Sequence, residues 1–396
     1  MIQGLIEGVF NGISIGAVLL IAALGLAIVF GLMGVINLAH GELMMLGAYT
    51  TFVVQNGFKS LGNEALFNLY ILFALPAAFI VAAIVGLILE KGVIRHLYGR
   101  PLETLLATWG VSLILRQFVR SVSTSMTIAL ILFSVLFFVG GWVVRQRSDW
   151  EKIKVWAITV LFSLSAGISV TVGLICNKQA NLEKPWFSAR NIDVTAPAWL
   201  RGGIAVELPQ NLGTVQFPYA RVFIIILTIV CILGVYWFLN GSAWGLRVRS
   251  VTQNRNMSAC LGIPTNTVDA ISFALGSGLA GIAGCAVSLL GSVGPNLGGN
   301  YIVDAFMVVV VGGVGKLVGS IVAAIAIGTI SYLVGSGTIP LMLMSLQSEA
   351  LKPLIDITNF FATTSMAKVF VFALIIAFLQ VKPAGMFPQK GRTVDA

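Results

Sequence analysis

The stretch Gly31-Leu-Met-Gly34-Val-Ile-Asn37-Leu-Ala-His40-Gly41-Glu42 sets glycines, an amide, an imidazole and a carboxylate between two apolar segments, 12–36 and 41–56. The first of these is long enough to cross a bilayer, which takes roughly 20 apolar residues. Polar groups at membrane depth are costly unless they face a cavity or a partner. Broken helices are tolerated where their freed backbone groups line such a cavity. On one reading Asn37, His40 and Glu42 shape a translocation path or brace its gate, with Asn37 and His40 on one face if the stretch is helical. On the plainer reading the stretch is a capped helix break at the cytoplasmic interface. Glu42 then sits near a helix N-terminus, where negative charge is favoured. Both readings stay open, and they overlap, since the cap can be what builds the gate.

Working outward, further long apolar runs lie at 67–94, 126–144, 155–176, 222–239, 268–291 and 368–381, the last being short. The stretches 41–56, 102–119 and 303–335 are apolar but interrupted, and 303–335 divides in two around Gly312–Gly319. The expected fold is all-α and polytopic, with roughly ten membrane segments and broken or re-entrant helices. Composition agrees: of 396 residues, 58% are hydrophobic and 10% charged, too few polar side chains to coat a water-soluble globule. The net charge of +9 is not that of a nucleic-acid binder, because the basic residues stand in short clusters between apolar runs.

Those clusters orient the chain. Lys91, Arg95 and Arg100; Arg145, Arg147, Lys152 and Lys154; Arg247, Arg249 and Arg255; and Lys382, Lys390 and Arg392 all fall on one side if the segments alternate. The positive-inside rule makes that side cytoplasmic. The N-terminus, with Glu7 and no nearby Lys or Arg, then lies outside, as does the loop 177–221, and the C-terminus lies inside. Met1-Ile-Gln-Gly-Leu-Ile-Glu7 has no basic leader region, so the first apolar run is expected to be retained as a helix.

The run 126–176 reads as a helical hairpin with a basic turn, rich in Phe, Val, Ile and Leu and poor in internal polar residues. It has the character of a lipid-facing addition. The expected organisation is a first core half over 1–120, an inserted hairpin over 121–187, and a second core half over 188–396.

The polar loop 245–264 carries Arg247, Arg249 and Arg255, also Asn254, with no acid before Asp269. A plain cytoplasmic loop accounts for its charge. Its length, and the helix stop Gly262-Ile-Pro264 before the next span, fit better a short helix lying on the membrane face and docking into a partner. Gly12 and Gly16 are four apart, and Gly276, Ala280, Gly284 and Ser288 repeat at four, the pattern that lets helix backbones approach. Gly312-Gly-Val-Gly-Lys316-Leu317 superficially resembles a phosphate loop, but Leu follows the Lys and Val310 replaces the first Gly, so no nucleotide site is expected. With only His40 and His96 and no paired Cys, neither a zinc site nor a hydrolase triad can be built, and no enzymology is expected. His96, beside Arg95, reads as solvated; Asp269 and Asp304 read as helix caps. Cys176, Cys231, Cys260 and Cys285 read as small apolar fillers or loop residues.

Asn11-Gly-Ile-Ser-Ile-Gly-Ala with Gly34-Val-Ile-Asn37-Leu-Ala-His40-Gly41-Glu42 resembles the N-terminal signature of the branched-chain amino-acid type permeases of ATP-binding-cassette importers. Gly245-Leu-Arg247 through Ala259-Cys-Leu-Gly262-Ile is similar to that family's ATPase-coupling loop. Gly312-Gly-Val-Gly315 and Lys382-Pro-Ala-Gly-Met-Phe387 also match. Within the family, Leu102-Glu-Thr-Leu-Leu-Ala-Thr-Trp-Gly110, Thr252-Gln-Asn-Arg255-Asn-Met and Phe273-Ala-Leu-Gly-Ser-Gly-Leu-Ala-Gly281 resemble the urea-transporting branch. The resemblance covers 1–120 and 188–396; the hairpin departs from the pattern.

The resemblance implies a multi-pass protein of the bacterial inner membrane with a second related permease subunit, two ATP-binding subunits and a periplasmic solute-binding protein as partners. ATP and Mg would be bound by the partner ATPases, with no cofactor in this chain. Urea is the solute implied, with branched-chain amino acids or short amides as alternatives. The absence of a carboxylate-binding Arg at membrane depth mildly favours a neutral solute. A passive channel for a small neutral solute is the rival of another class, and the 245–264 loop, which a channel does not need, counts against it.

Overall fold

The computed structural model describes residues 2–145, 150–177, 186–187, 191–207, 214–344 and 352–387. Arg147, Lys390 and Arg392 of the basic clusters lie outside the described residues. The chain folds as two compact units, one formed by Met1–Ser112 with Asp193–Ala396 and the other by Leu113–Ile192.

The larger unit opens with α1 (Ile2–Met33) and α2 (His40–Ser60), a single turn α3 (Glu64–Phe67), α4 (Tyr70–Gly92) and the first half of α5 (Pro101–Ser121). It resumes with an antiparallel strand pair, β1 (Gly203–Glu207) and β2 (Thr214–Pro218), in which Gly203 faces Pro218 and Glu207 faces Thr214. There follow α8 (Tyr219–Gly241), α9 (Ala243–Gln253), α10 (Arg255–Cys260), α11 (Thr265–Ser288), α12 (Leu297–Gly312) and α13 (Leu317–Gly335). The chain closes with α14 (Thr338–Met344), α15 (Lys352–Phe361) and α16 (Thr364–Val381). The smaller unit is the hairpin of α6 (Thr124–Arg145) and α7 (Trp150–Asn177).

Seven described helices are long and apolar enough to cross a membrane: α1, α4, α6, α7, α8, α11 and α13. Two shorter apolar helices, Leu297–Gly312 and Met366–Val381, accompany them. α2 and α5, of 21 residues each, have spanning length with more polar sequence. The protein is an all-α polytopic membrane protein.

Small residues decide which helices are inside. Gly25 of α1 meets Gly276 of α11 backbone to backbone, and Gly284 of α11 lies against the Met44 carbonyl of α2. Gly41 of α2 meets Gly298 of α12, while Gly12 and Gly16 face Thr329 and Ala324 of α13. Ala280 is fully buried in the same row. Without lipid-facing hydrophobic drive, such contacts hold helices together by dispersion at short range. In the hairpin, Phe133 stacks on Phe137 and both meet Phe162 edge-on, at 5.6 and 6.2 Å between centroids. Phe138, Trp142 and Trp156 point away and are largely exposed.

Three sequence expectations change. α1 begins at Ile2, ten residues before the apolar run, because Gln3 and Glu7 continue the helix through a hydrogen bond of 3.3 Å. Asp269 and Asp304 do not cap helices: the N-cap positions of α11 and α12 are Pro264 and Asn296. Both helices start before the aspartates, which are instead paired with Arg255 and Lys368. Finally, α2 starts at His40, so Asn37 lies in the preceding loop and shares no helical face with it.

Candidate functional site

The loop Gly34–Ala39 folds back into the bundle rather than out of it. Asn37, His40 and Glu42 are all buried, at 1%, 0% and 1% exposure. Asn37 Oδ1 accepts the Ala39 N–H at 3.0 Å, closing a local turn just before α2. His40 Nε2 lies 3.0 Å from the Ala22 carbonyl of α1. A carbonyl only accepts, so Nε2 carries the proton and Nδ1 presents its lone pair to the interior. The imidazole also lies against Gly25. Since Gly25 is eight residues before the end of α1, α2 begins about 12 Å inside that end. The break is therefore re-entrant.

Helix α5 supplies the rest of the site. Thr104, Thr108 and Ser112 repeat at four along one face and are all buried. Thr108 Oγ1 accepts the Leu38 N–H at 3.2 Å, and Ser112 Oγ donates to Glu42 Oε1 at 3.0 Å. Glu42 occupies the first turn of α2, where the helix dipole favours its charge. Asn37 Nδ2 and His40 Nδ1 have no hydrogen-bond partner among the described residues. A buried amide and imidazole left half-satisfied cost free energy in a closed bundle. They gain partners if the helices part and admit water or a polar solute.

The second candidate region, 245–264, is helical, though α9 and α10 divide it in two where one short helix is expected from the sequence. Ser242 accepts the Gly245 N–H at 2.9 Å to cap α9, and Asn254 accepts the Met257 N–H at 3.0 Å to cap α10. Gly262, at φ +79°, ends the arm in a conformation that L side chains rarely adopt. Val248 and Val251 of α9 pack on Val268 of α11, together with Leu239, Trp244 and Ile263. The outer face carries Leu246, Met257 and Leu261, all exposed by 60% or more. Arg247 lies over the Trp244 ring at 4.6 Å, and Arg249 reaches Asn240 at 3.4 Å.

Arg255 turns the other way. Its Nη2 is 2.6 Å from Asp269 Oδ2, and its guanidinium lies 4.8 Å above the Tyr98 ring. The Tyr98 hydroxyl donates to Glu90 at 3.4 Å, and Arg95 pairs with the same carboxylate at 3.2 Å. Burial raises the Tyr98 hydroxyl well above the usual phenol range, with Asp269 and Glu90 adding to the shift. It stays protonated and donates. This cluster joins the arm to α4 and α11, the helices that flank α2.

Three of the basic clusters meet at this end of the larger unit. Arg255 stands over Tyr98 beside Arg95, and Gly31 at the end of α1 touches Gly315. The segment after Lys382 returns to the same turn, where Met386 N–H donates to the Val311 carbonyl at 2.8 Å. The opposite end holds the start of α1, the strand pair and the 193–200 segment, whose Thr195 carbonyl accepts from Tyr70 and Gln55.

Sequence reasoning missed Thr108, Ser112, Glu90 and Tyr98, and read Asp269 as a cap rather than as the partner of Arg255. The Thr104–Thr108–Ser112 repeat at four was the available signal for the first two; nothing local marked the others.

No solved structure matches the chain. High-affinity branched-chain amino acid transport system permease protein LivH of Salmonella typhimurium is 23% identical over 383 residues, covering 96% of this chain and 94% of its own. LivH of Escherichia coli strain K12 matches with the same figures. The corresponding protein BraD of Pseudomonas aeruginosa is 22% identical over 325 residues, 82% of this chain and 84% of its own. These relatives are transport permeases. The family model described as branched-chain amino acid transport system / permease component matches residues 8–379, so this chain belongs to that permease family.

Proposed function

We propose that the chain is the membrane-spanning subunit of an ATP-driven importer of the bacterial inner membrane, and that its solute is urea. The observation that carries the importer reading is the arm of α9 and α10: an ordered two-helix surface with Met257 and Leu261 exposed at one end of the bundle. A passive channel has no use for it. Two ATP-binding subunits, holding ATP and Mg, would dock there. A second related permease and a periplasmic solute-binding protein complete the assembly. The arm end would face the cytoplasm and the start of α1 the periplasm. Motion of the arm would pass through Arg255 and Asp269 to α11, and from there to the break at Asn37–Glu42, which opens to one side at a time.

Urea is supported by the likeness of 102–110, 252–257 and 273–281 to the urea-transporting branch. Its need for a few donors and acceptors, with no fixed charge, suits the buried amide, imidazole and hydroxyls. Branched-chain amino acids are the second reading, favoured by the names of the relatives. At 22–23% identity an architecture persists while a solute can change. Uptake of labelled urea and leucine, in cells with and without the ATPase partners, separates the readings. Urea uptake that depends on the ATPases is expected. Undiminished uptake without them would make the protein a channel, and leucine carried as well as urea would overturn the solute.

A further inference from the structure

Every polar side chain of α1 falls on one face. Gln3, Glu7, Asn11 and Ser14 are spaced by four, four and three, and no other polar side chain occurs between Ile2 and Met33. The same face continues through Ala22, whose carbonyl meets His40, to Gly25, which touches the His40 ring. The polar side chains thus run from the free end of α1 down to Ser14, and below it Val18, Ala22 and Gly25 carry the same face on to the buried break.

At that free end lies a pocket of about 380 Å³, lined by Gln3, Glu7 and Asn11 of α1, Thr214 and Gln216 of β2, and Arg221 of α8. Pro218 completes it and is, among the described residues, its one lining residue with a purely hydrocarbon side chain. The walls are held in place from outside. Gln3 donates to the Thr214 carbonyl at 2.8 Å, and Asn11 donates to the Tyr332 hydroxyl at 3.0 Å. Arg221 donates to the Asn11 carbonyl at 3.3 Å and lies 5.8 Å from the Tyr332 ring centroid. One turn beyond Asn11, Ser14 is fully buried and its Oγ has no hydrogen-bond partner among the described residues. A polar group is thus left unpaired on the line leading inward from the pocket.

We infer that this pocket is the periplasmic loading site for a small neutral solute carrying both N–H donors and a carbonyl acceptor, the urea and primary-amide class, and that the Glu7–Asn11–Ser14 stripe is its entry track. Carboxylate and amide oxygens accept from the solute's N–H groups. The guanidinium and the Gln216 amide donate to its carbonyl. Among the described residues a branched aliphatic side chain finds only Pro218 to pack on, so this part of the lining favours a small polar solute. This inference rests on the importer reading and its orientation, and gives the solute class a place in the molecule.

The test uses the assembled importer in sealed proteoliposomes of defined orientation, with Thr214→Cys introduced on the exposed strand at the pocket rim. Modification at position 214 by a membrane-impermeant maleimide is followed by mass spectrometry. Labelling from the periplasmic side should slow about tenfold at a urea concentration ten times the half-protecting value, as mass action requires. Acetamide should protect likewise and leucine should not. Ser14→Ala and Glu7→Gln should lower urea uptake while surface expression holds. Absence of protection by urea, protection by leucine alone, or labelling only from the cytoplasmic side would each overturn the loading site. Protection by urea without any urea uptake would leave the pocket standing and bring down the transport reading instead, so the two failures are distinct.

Discussion

Helices α11 and α6 are both apolar and of spanning length, yet they end in opposite environments. In α11, 78% of the most apolar window is buried; in α6 none of it is. The buried helix is the less hydrophobic of the two. Within a bilayer, hydropathy does not sort interior from exterior, because lipid is as apolar as any side chain. Size does. α11 offers Gly276, Ala280 and Gly284 at helical spacing and lets α1 and α2 come to backbone contact. α6 offers Phe, Leu, Ile and Val, which fill space around a helix and keep neighbours away.

The comparison breaks first at Gly284. A Cβ there would meet the Met44 carbonyl, which is backbone and has no room to yield. Gly284→Leu should cost about 3 kcal/mol or more and remove monodisperse protein from size-exclusion profiles. A normal profile would mean that backbone contact between α2 and α11 is not what holds the interior. Next comes the polar pair at the start of α11. Arg255→Glu sets a second carboxylate against Asp269. Since Arg255 is 39% exposed, solvent softens the penalty to about 2 kcal/mol. Transport coupled to ATP hydrolysis should fall more than expression, and the swap with Asp269→Arg should recover part of it. Failure of the swap together with intact coupling in the single variant would reduce the pair to a local brace. The smallest effect belongs to the hairpin. Phe137→Ala removes ring contacts with Phe133 and Phe162 and should cost about 1 kcal/mol, seen as a shift in thermal unfolding with uptake unchanged. A large loss of uptake would mean that the hairpin is part of the moving core.

How much of this was legible in the sequence follows from residue type. The spans and the break were, because Asn37, His40 and Glu42 stand out against an apolar run. The small-residue rows were visible as spacing, though not which partner each row would meet. Thr108 and Ser112 were not singled out, since a hydroxyl within a helix usually bonds its own backbone, as Thr51 and Ser272 do here. The early start of α1 was hidden because Gln3 and Glu7 look like chain ahead of a span, whereas they form one face of it. The inward turn of Arg255 depends on Asp269, which the Gly262-Ile-Pro264 turn brings round beneath the arm. A charge run cannot announce which of its members folds back.

The central claim is that the re-entrant break is the gate of the solute path. It is tested most directly by Glu42→Gln in the reconstituted importer, with labelled solute uptake and ATP hydrolysis measured together. The substitution keeps shape and leaves Ser112 a carbonyl to donate to, while removing the charge from the first turn of α2. The account predicts that hydrolysis persists and uptake falls about tenfold, the worth of one charged hydrogen bond. Wild-type uptake with wild-type hydrolysis would contradict it and leave Asn37–Glu42 as a helix cap alone.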